Sequence, residues 1–116
     1  MDNFKISFSD CFGFPVISFE GYCSNDGGKA LSNKVREILK QSKNRIVLDF
    51  SRCTIISSPG MAALLDTAME IVEDFQGKCC IAGLDQPKKQ FLQMAGIIPI
   101  LDTAETIEEA CKQVKV

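Results

Sequence analysis

No histidine occurs anywhere in the chain. That absence removes Ser-His-Asp and Cys-His pairs, a histidine general base and imidazole metal ligation, which together carry most familiar hydrolase chemistry. Also missing is any apolar run approaching the roughly 20 residues that a membrane-spanning helix needs. The opening Met1-Asp2-Asn3-Phe4-Lys5 has neither the basic start nor the apolar stretch of a secretory signal, so the expected location is the cytoplasm. Positive charge is not in excess: the net charge is −2, with lysines dispersed among acidic residues, which disfavours nucleic acid and anionic lipid as partners. No CxxC pair exists among the six cysteines, Cys11, Cys23, Cys53, Cys79, Cys80 and Cys111. Cys79-Cys80 sit inside an apolar run as small core residues, so the set is expected reduced and buried, with no metal site and no cofactor. Repeats, linkers and low-complexity tracts are absent too.

What is present is one domain's worth of chain, residues 1–116, with 46% apolar and 24% charged residues, ordinary for a globular protein. Phe4-Lys5-Ile6-Ser7-Phe8 alternates as a half-exposed strand does, and Phe14 to Glu20 reads as a second strand joined to it by a hairpin at Cys11-Phe12-Gly13. Ser24-Asn25-Asp26-Gly27-Gly28 is a cluster of turn and cap residues. Leu31, Val35, Ile38 and Leu39 then follow at helical spacing, giving a first helix that ends near Ser42. Ile46 to Phe50 and Cys79 to Ala82 are short, nearly continuous apolar runs, the pattern of parallel strands covered on both faces. Between them Met61, Leu64, Leu65, Ala68, Val72 and Phe75 mark one stripe of the clearest helix, which ends before Gly77. Pro87 opens a third helix that stops at Gly96; a last strand is expected around Pro99 to Leu101, and a closing amphipathic helix behind Asp102-Thr103-Ala104-Glu105.

The alternation implies an α/β domain with a mixed, mostly parallel sheet of about five strands and four helices, the first strand forming an antiparallel edge. In such sheets partners meet the loops at the carboxyl ends of the strands. The loop to inspect runs from Ser51 to Gly60, between a buried strand and the clearest helix. Pro59 suits the first helical position, which makes Ser58 the N-cap, worth about 1 kcal/mol to the helix. The same position is that of a switch: a hydroxyl at the positive end of a helix tolerates phosphate, and phosphorylation adds about −1.5 to −2 of charge to a docking surface.

Other candidates are weaker. Asn25-Asp26-Gly27-Gly28 lacks the lysine and spacing of a phosphate-binding loop and reads as a turn. Lys88 and Lys89 are expected to be solvated, Asp49 to be structural, and Met61, Met69 and Met94 to belong to the core, with Met61 the exception to test as a contact because it lies one turn into the helix that follows the loop.

Two segments carry a family resemblance. Ile46-Val47-Leu48-Asp49-Phe50-Ser51, followed by Ile55-Ile56-Ser57-Ser58-Pro59-Gly60-Met61-Ala62-Ala63-Leu64-Leu65, resembles the signature of the STAS family, in which a hydrophobic strand leads to Asp-Ser-x-Gly and an apolar helix. The order of elements is similar over nearly the whole chain, including Gly21 after the second strand and Ala95-Gly96 before the last. The resemblance implies a single STAS-like domain that acts as an anti-sigma factor antagonist, not an enzyme. Ser58 matches the serine phosphorylated by a partner kinase that doubles as the anti-sigma factor, with Ser57 the less favoured acceptor and a phosphatase as the opposing partner. Ser57, Ser58, Pro59, Gly60 and Met61 are the implied partner-binding residues. The alternative it implies is an accessory subunit of a lipid or anion transport assembly, attached in trans. Two departures stand out: Ser57 replaces the usual aspartate, and Ser24 stands near where many members carry another.

Overall fold

The computed structural model describes residues 3–116. Strand β1 (Phe4–Cys11) pairs antiparallel with β2 (Phe14–Cys23). The turn between them is Phe12-Gly13, both at positive φ, the backbone whose twist matches that of a two-residue hairpin. Helix α1 (Asn25–Leu39) follows, then β3 (Arg45–Ile56) and α2 (Ser58–Met69), which continues as one π-helical turn over Glu70–Asp74. The chain closes with β4 (Lys78–Ala82), α3 (Gln86–Met94), β5 (Asp102–Ala104) and α4 (Ile107–Lys115).

The sheet order is β1-β2-β3-β4-β5, and every pairing after the first is parallel. Because each strand is added beside the last in one direction, crossovers of one hand fall on one face. Helices α1, α2 and α3 accordingly share a core with Ile17, Phe19, Leu48, Phe50 and Ile81, while α4 packs alone on the other face over Val16, Val47, Cys80 and Ala82. Covering both faces explains why Ile46-Val47-Leu48 reads as an unbroken apolar run: Ile46 and Leu48 face one layer, Val47 the other. All four helices, the hairpin and the antiparallel edge agree with the sequence reading, and Gly96 sits at φ +83° after α3.

Two boundaries differ. Strand β3 does not end at Phe50 but runs on to Ile56, because Glu20 to Cys23 of β2 continue to pair with it. The last strand is not Pro99 to Leu101 but the three residues Asp102–Ala104. Ile97 and Leu101 spend their apolar side chains in the core beneath α3, and Pro99 has no N–H to offer a ladder. Helix α4 begins behind Glu105, as the sequence predicts, with Thr106 as its cap accepting from the Glu109 N–H at 3.2 Å.

Candidate functional site

The site begins where β3 outruns its neighbour. Pairing with β4 stops at Asp49 opposite Ala82, so the segment from Ser51 to Ile56 is held on the β2 side alone. Asp49 has the structural role expected of it: its carboxylate accepts from the Ser18 hydroxyl at 3.2 Å and from the Ser51 N–H at 3.0 Å, anchoring the start of the overhang.

At the end of the overhang the cap lies one residue earlier than the spacing of Pro59 predicts. Ser57 is the N-cap of α2, with extended backbone (φ −80°, ψ 167°) and its hydroxyl accepting from the Gly60 N–H at 3.1 Å. Ser58 is the first helical residue and Pro59 the second. Proline is tolerated throughout a first turn, where the N–H it lacks has no intrahelical acceptor, so its presence does not decide between the two registers. The donors at this helix end can be followed one by one. The Ser57 N–H donates to the Cys23 carbonyl at 3.0 Å, Pro59 has none, Gly60 is capped, and Met61 donates to the Ser57 carbonyl at 2.8 Å. Among the described residues, only the Ser58 amide of this helix end is left open.

This register separates the two serines. The Ser57 hydroxyl is half-buried and already engaged, accepting from Gly60 and donating to the Cys23 carbonyl at 3.4 Å. Ser58 is exposed, and its hydroxyl makes no hydrogen bond among the described residues. No acidic side chain stands in the first turn of α2, so nothing there offsets the positive end of the helix. Ser57→Ala is therefore expected to cost about 1 kcal/mol of stability, the usual value of an N-cap, whereas Ser58→Ala should change it by less than about 0.5 kcal/mol. Urea midpoints of the two variants decide; the opposite ranking would put the cap back at Ser58.

Of the five residues expected at an interface, two are turned away from it. Gly60 is buried because a Cβ there would stand 2.2 Å from the Cys23 carbonyl oxygen. Met61 is 5% exposed and belongs to the core beside Leu64. The first turn of α2 points its Met61 face at the sheet, so this methionine packs and does not greet a visitor. The methionines expected in the core go the other way: Met69 lies on the exposed face of α2, and Met94 at the end of α3 is 87% exposed. What α2 presents to solvent is Ser58, Pro59, Ala62, Asp66 and Met69.

Ser24, the other departure, is the N-cap of α1, accepting from the Gly27 N–H at 3.2 Å. Asn25 to Gly28 are the first turn of that helix and cradle nothing. Its N-terminus lies beside that of α2, since a Cβ on Gly28 would meet the Gly60 carbonyl at 3.2 Å. A groove of about 490 Å³ follows the two helices, lined by Asn25, Lys29 and Arg36 on one side and Pro59, Ala62 and Asp66 on the other.

Beyond the overhang, Lys88 is packed where solvation was expected: its side chain is 13% exposed and its ammonium lies 2.6 Å from Asp85. The hydrogen bonds from that ammonium and from the Lys88 N–H hold the Asp85 carboxyl below its ordinary pKa. A shallow groove of about 300 Å³ separates α3 from β3 here, and Ile55, 61% exposed, and Phe91 stand at its sides. Ile55 was not singled out from the sequence, although the signal was available. Consecutive strand residues face opposite ways, so Ile55 and Ile56 cannot both be covered by one layer.

The five cysteines other than Cys11 are buried, as expected, and all six carry free thiols. Burial raises Cys23 to about 12 and Cys53 to about 11, which keeps both protonated.

Comparison with known proteins follows this geometry. Residues 27–110 match the family model of the STAS domain. No curated protein sequence matches the chain. Among solved structures, an anti-sigma factor antagonist from Mycobacterium paratuberculosis is similar with a TM-score of 0.82, at 17% identity over 97% of this chain and 95% of that one. The Bacillus cell-fate determinant SpoIIAA in its phosphorylated form is similar with a TM-score of 0.71, at 20% identity over 95% of this chain and 99% of that one. A murine solute carrier 26 family anion transporter contains a similar domain, with a TM-score of 0.63 and 16% identity over 86% of this chain but 18% of the transporter. At such identities the likeness is one of fold.

Proposed function

The chain belongs to the STAS domain family, and from that premise we propose that it is a non-catalytic anti-sigma factor antagonist, binding a kinase-type anti-sigma factor and switched by phosphorylation of Ser58. The observation that carries the reading is the division of labour between the serines. Ser57 takes over the capping, which leaves Ser58 exposed and, among the described residues, without a hydrogen bond to its hydroxyl or its amide. A phosphoryl group on Ser58 would sit at the positive end of α2 without disturbing the cap. The same group on Ser57 would break the bond to Gly60 and press charge against the Cys23 carbonyl. The acceptor is thus Ser58, and the aspartate that other members carry beside it is replaced here by a residue that still caps.

The docking face comprises Ser58, Pro59 and the outward side of α2, with Ile55 flanking it. An interface of ordinary size, about 1,200–2,000 Å² in total, would cover all of these. Adding about two negative charges at its centre weakens docking by desolvation and repulsion while the fold stands. The test is titration of the organism's serine-kinase anti-sigma factor with wild type, Ser58→Ala and Ser58→Glu. We expect Ser58→Ala to bind as wild type does and Ser58→Glu to bind at least about tenfold more weakly, a difference of roughly 1.4 kcal/mol. Circular dichroism should be the same for all three. Undiminished affinity of Ser58→Glu would remove Ser58 from the switch.

The solute carrier likeness supports a second reading, an accessory subunit of a transport assembly. Among the described residues no helix is long and apolar enough to cross a membrane. Co-purification with membrane proteins in place of a soluble kinase would favour it.

A further inference from the structure

Cys11 and Cys111 are 100 residues apart in sequence, yet the Cys111 thiol donates to the Cys11 carbonyl at 2.8 Å. The fold makes the meeting unavoidable. Cys11 is the last residue of β1 and points to the α4 side of the sheet, where it packs with Phe14 and Ile107 against Val16, Ala110 and Val114. Cys111 is one of the buried residues of α4, with Ala110 and Val114. A carbonyl oxygen is about 2.4 Å from its own Cα, so the Cys111 sulfur lies within about 5 Å of the Cys11 Cα, near enough for side-chain rotation to bring the two sulfurs together. Access is unequal: Cys11 is half-buried, whereas Cys111 is 2% exposed. The other four cysteines offer no comparable entry, being buried in the sheet.

We propose that Cys11 and Cys111 form a reversible intramolecular disulfide when the protein meets a disulfide oxidant such as oxidised glutathione, clamping the β1–β2 turn to the C-terminal helix. The Cys11 thiolate, its proton lost to solvent, attacks one sulfur of oxidised glutathione; a Cys11–glutathione bond forms and one glutathione thiolate leaves. Cys111, deprotonated in turn, attacks the Cys11 sulfur, and the second glutathione thiolate leaves. Both thiolates are protonated by solvent. Two protein thiols are thereby oxidised to one disulfide, and one oxidised glutathione is reduced to two molecules of glutathione. Burial, the adjoining Cys11 thiol and Asp10 together push Cys111 up to about 11 against the pull of Lys115. The second step accordingly quickens as pH rises toward that value. The clamp lies away from Ser58, and nothing in it depends on the function proposed above.

The experiment treats the full chain with oxidised glutathione, then counts thiols after unfolding and maps linked peptides without reduction. Four of the six thiols are expected to remain. The mass should fall by two hydrogens with no glutathione retained, and a peptide joining Cys11 to Cys111 should appear. The unfolding midpoint should rise and return on adding reductant. Cys111→Ala should instead accumulate the Cys11–glutathione adduct, and Cys11→Ser should keep all of its remaining thiols. A wild type that retains glutathione on Cys11 with Cys111 free, that links two chains through Cys11, or that pairs other cysteines would overturn the proposal.

Discussion

Gly60→Ala is expected to lower stability by about 1–3 kcal/mol, the usual cost of forcing a methyl group into a filled space. Alanine is the better helix former by about 1 kcal/mol, so propensity alone predicts the opposite sign. Contact decides. The added Cβ would stand 2.2 Å from the Cys23 carbonyl oxygen, 2.9 Å from its carbon and 3.1 Å from the Ser24 oxygen, all of them backbone atoms. A flexible side chain could swing aside; the end of β2 cannot. The same Cys23 oxygen accepts the Ser57 N–H, so relief by retreat pulls apart the bond that sets the register of the helix start. Urea denaturation of the variant measures the sum. A midpoint at or above that of wild type would mean that the approach of α2 to β2 is looser than described.

Alternating patterns located every helix and the hairpin, because a residue's side of a strand or helix follows from its number alone. Ser57-Ser58-Pro59 is different: either serine can cap and proline fits two positions. The choice is made by the Cys23 carbonyl, which β2 brings across from 34 residues away. Met61 shows a milder failure. It belonged to the apolar stripe with Leu64 and Ala68, and that stripe faces the sheet; its nearness to the loop said nothing about its side of the helix. Strand β5 was displaced because an apolar run and a hydrogen-bonded ladder are separate requirements. Ile97 to Leu101 satisfied the first, and Asp102 to Ala104 satisfied the second. The overhang of β3 was hidden for a related reason: Arg52 and Thr54 are polar because that stretch is open to solvent, yet β2 still pairs with it.

The largest loss is expected from Phe50→Ala, about 3–5 kcal/mol as for other buried aromatic truncations. Phe50 is 1% exposed and is the first inward residue of β3 beyond its pairing with β4. Its ring stacks on Phe19 with centroids 5.7 Å apart, and Phe19 stacks on Phe4 at 5.6 Å, so three strands share one column of rings. Phe19 in turn lies where a Cβ on Gly27 would fall, 2.9 Å away, which means that the column supports the first turn of α1 from below. That turn abuts the first turn of α2 through Gly28 and Gly60. Emptying the Phe50 position therefore acts twice: it opens a cavity in the main core, and it removes the support beneath the paired helix ends that present Ser58. Against a total stability of about 5–15 kcal/mol, a cost of this size brings the domain near its unfolding threshold. The thermal midpoint should fall by roughly 10–20 °C. Phe50→Leu, which keeps most of the volume, should recover more than half of the loss. If Phe50→Leu were as damaging as Phe50→Ala, ring stacking and not filled volume would be what holds the column, and the cavity argument would fail.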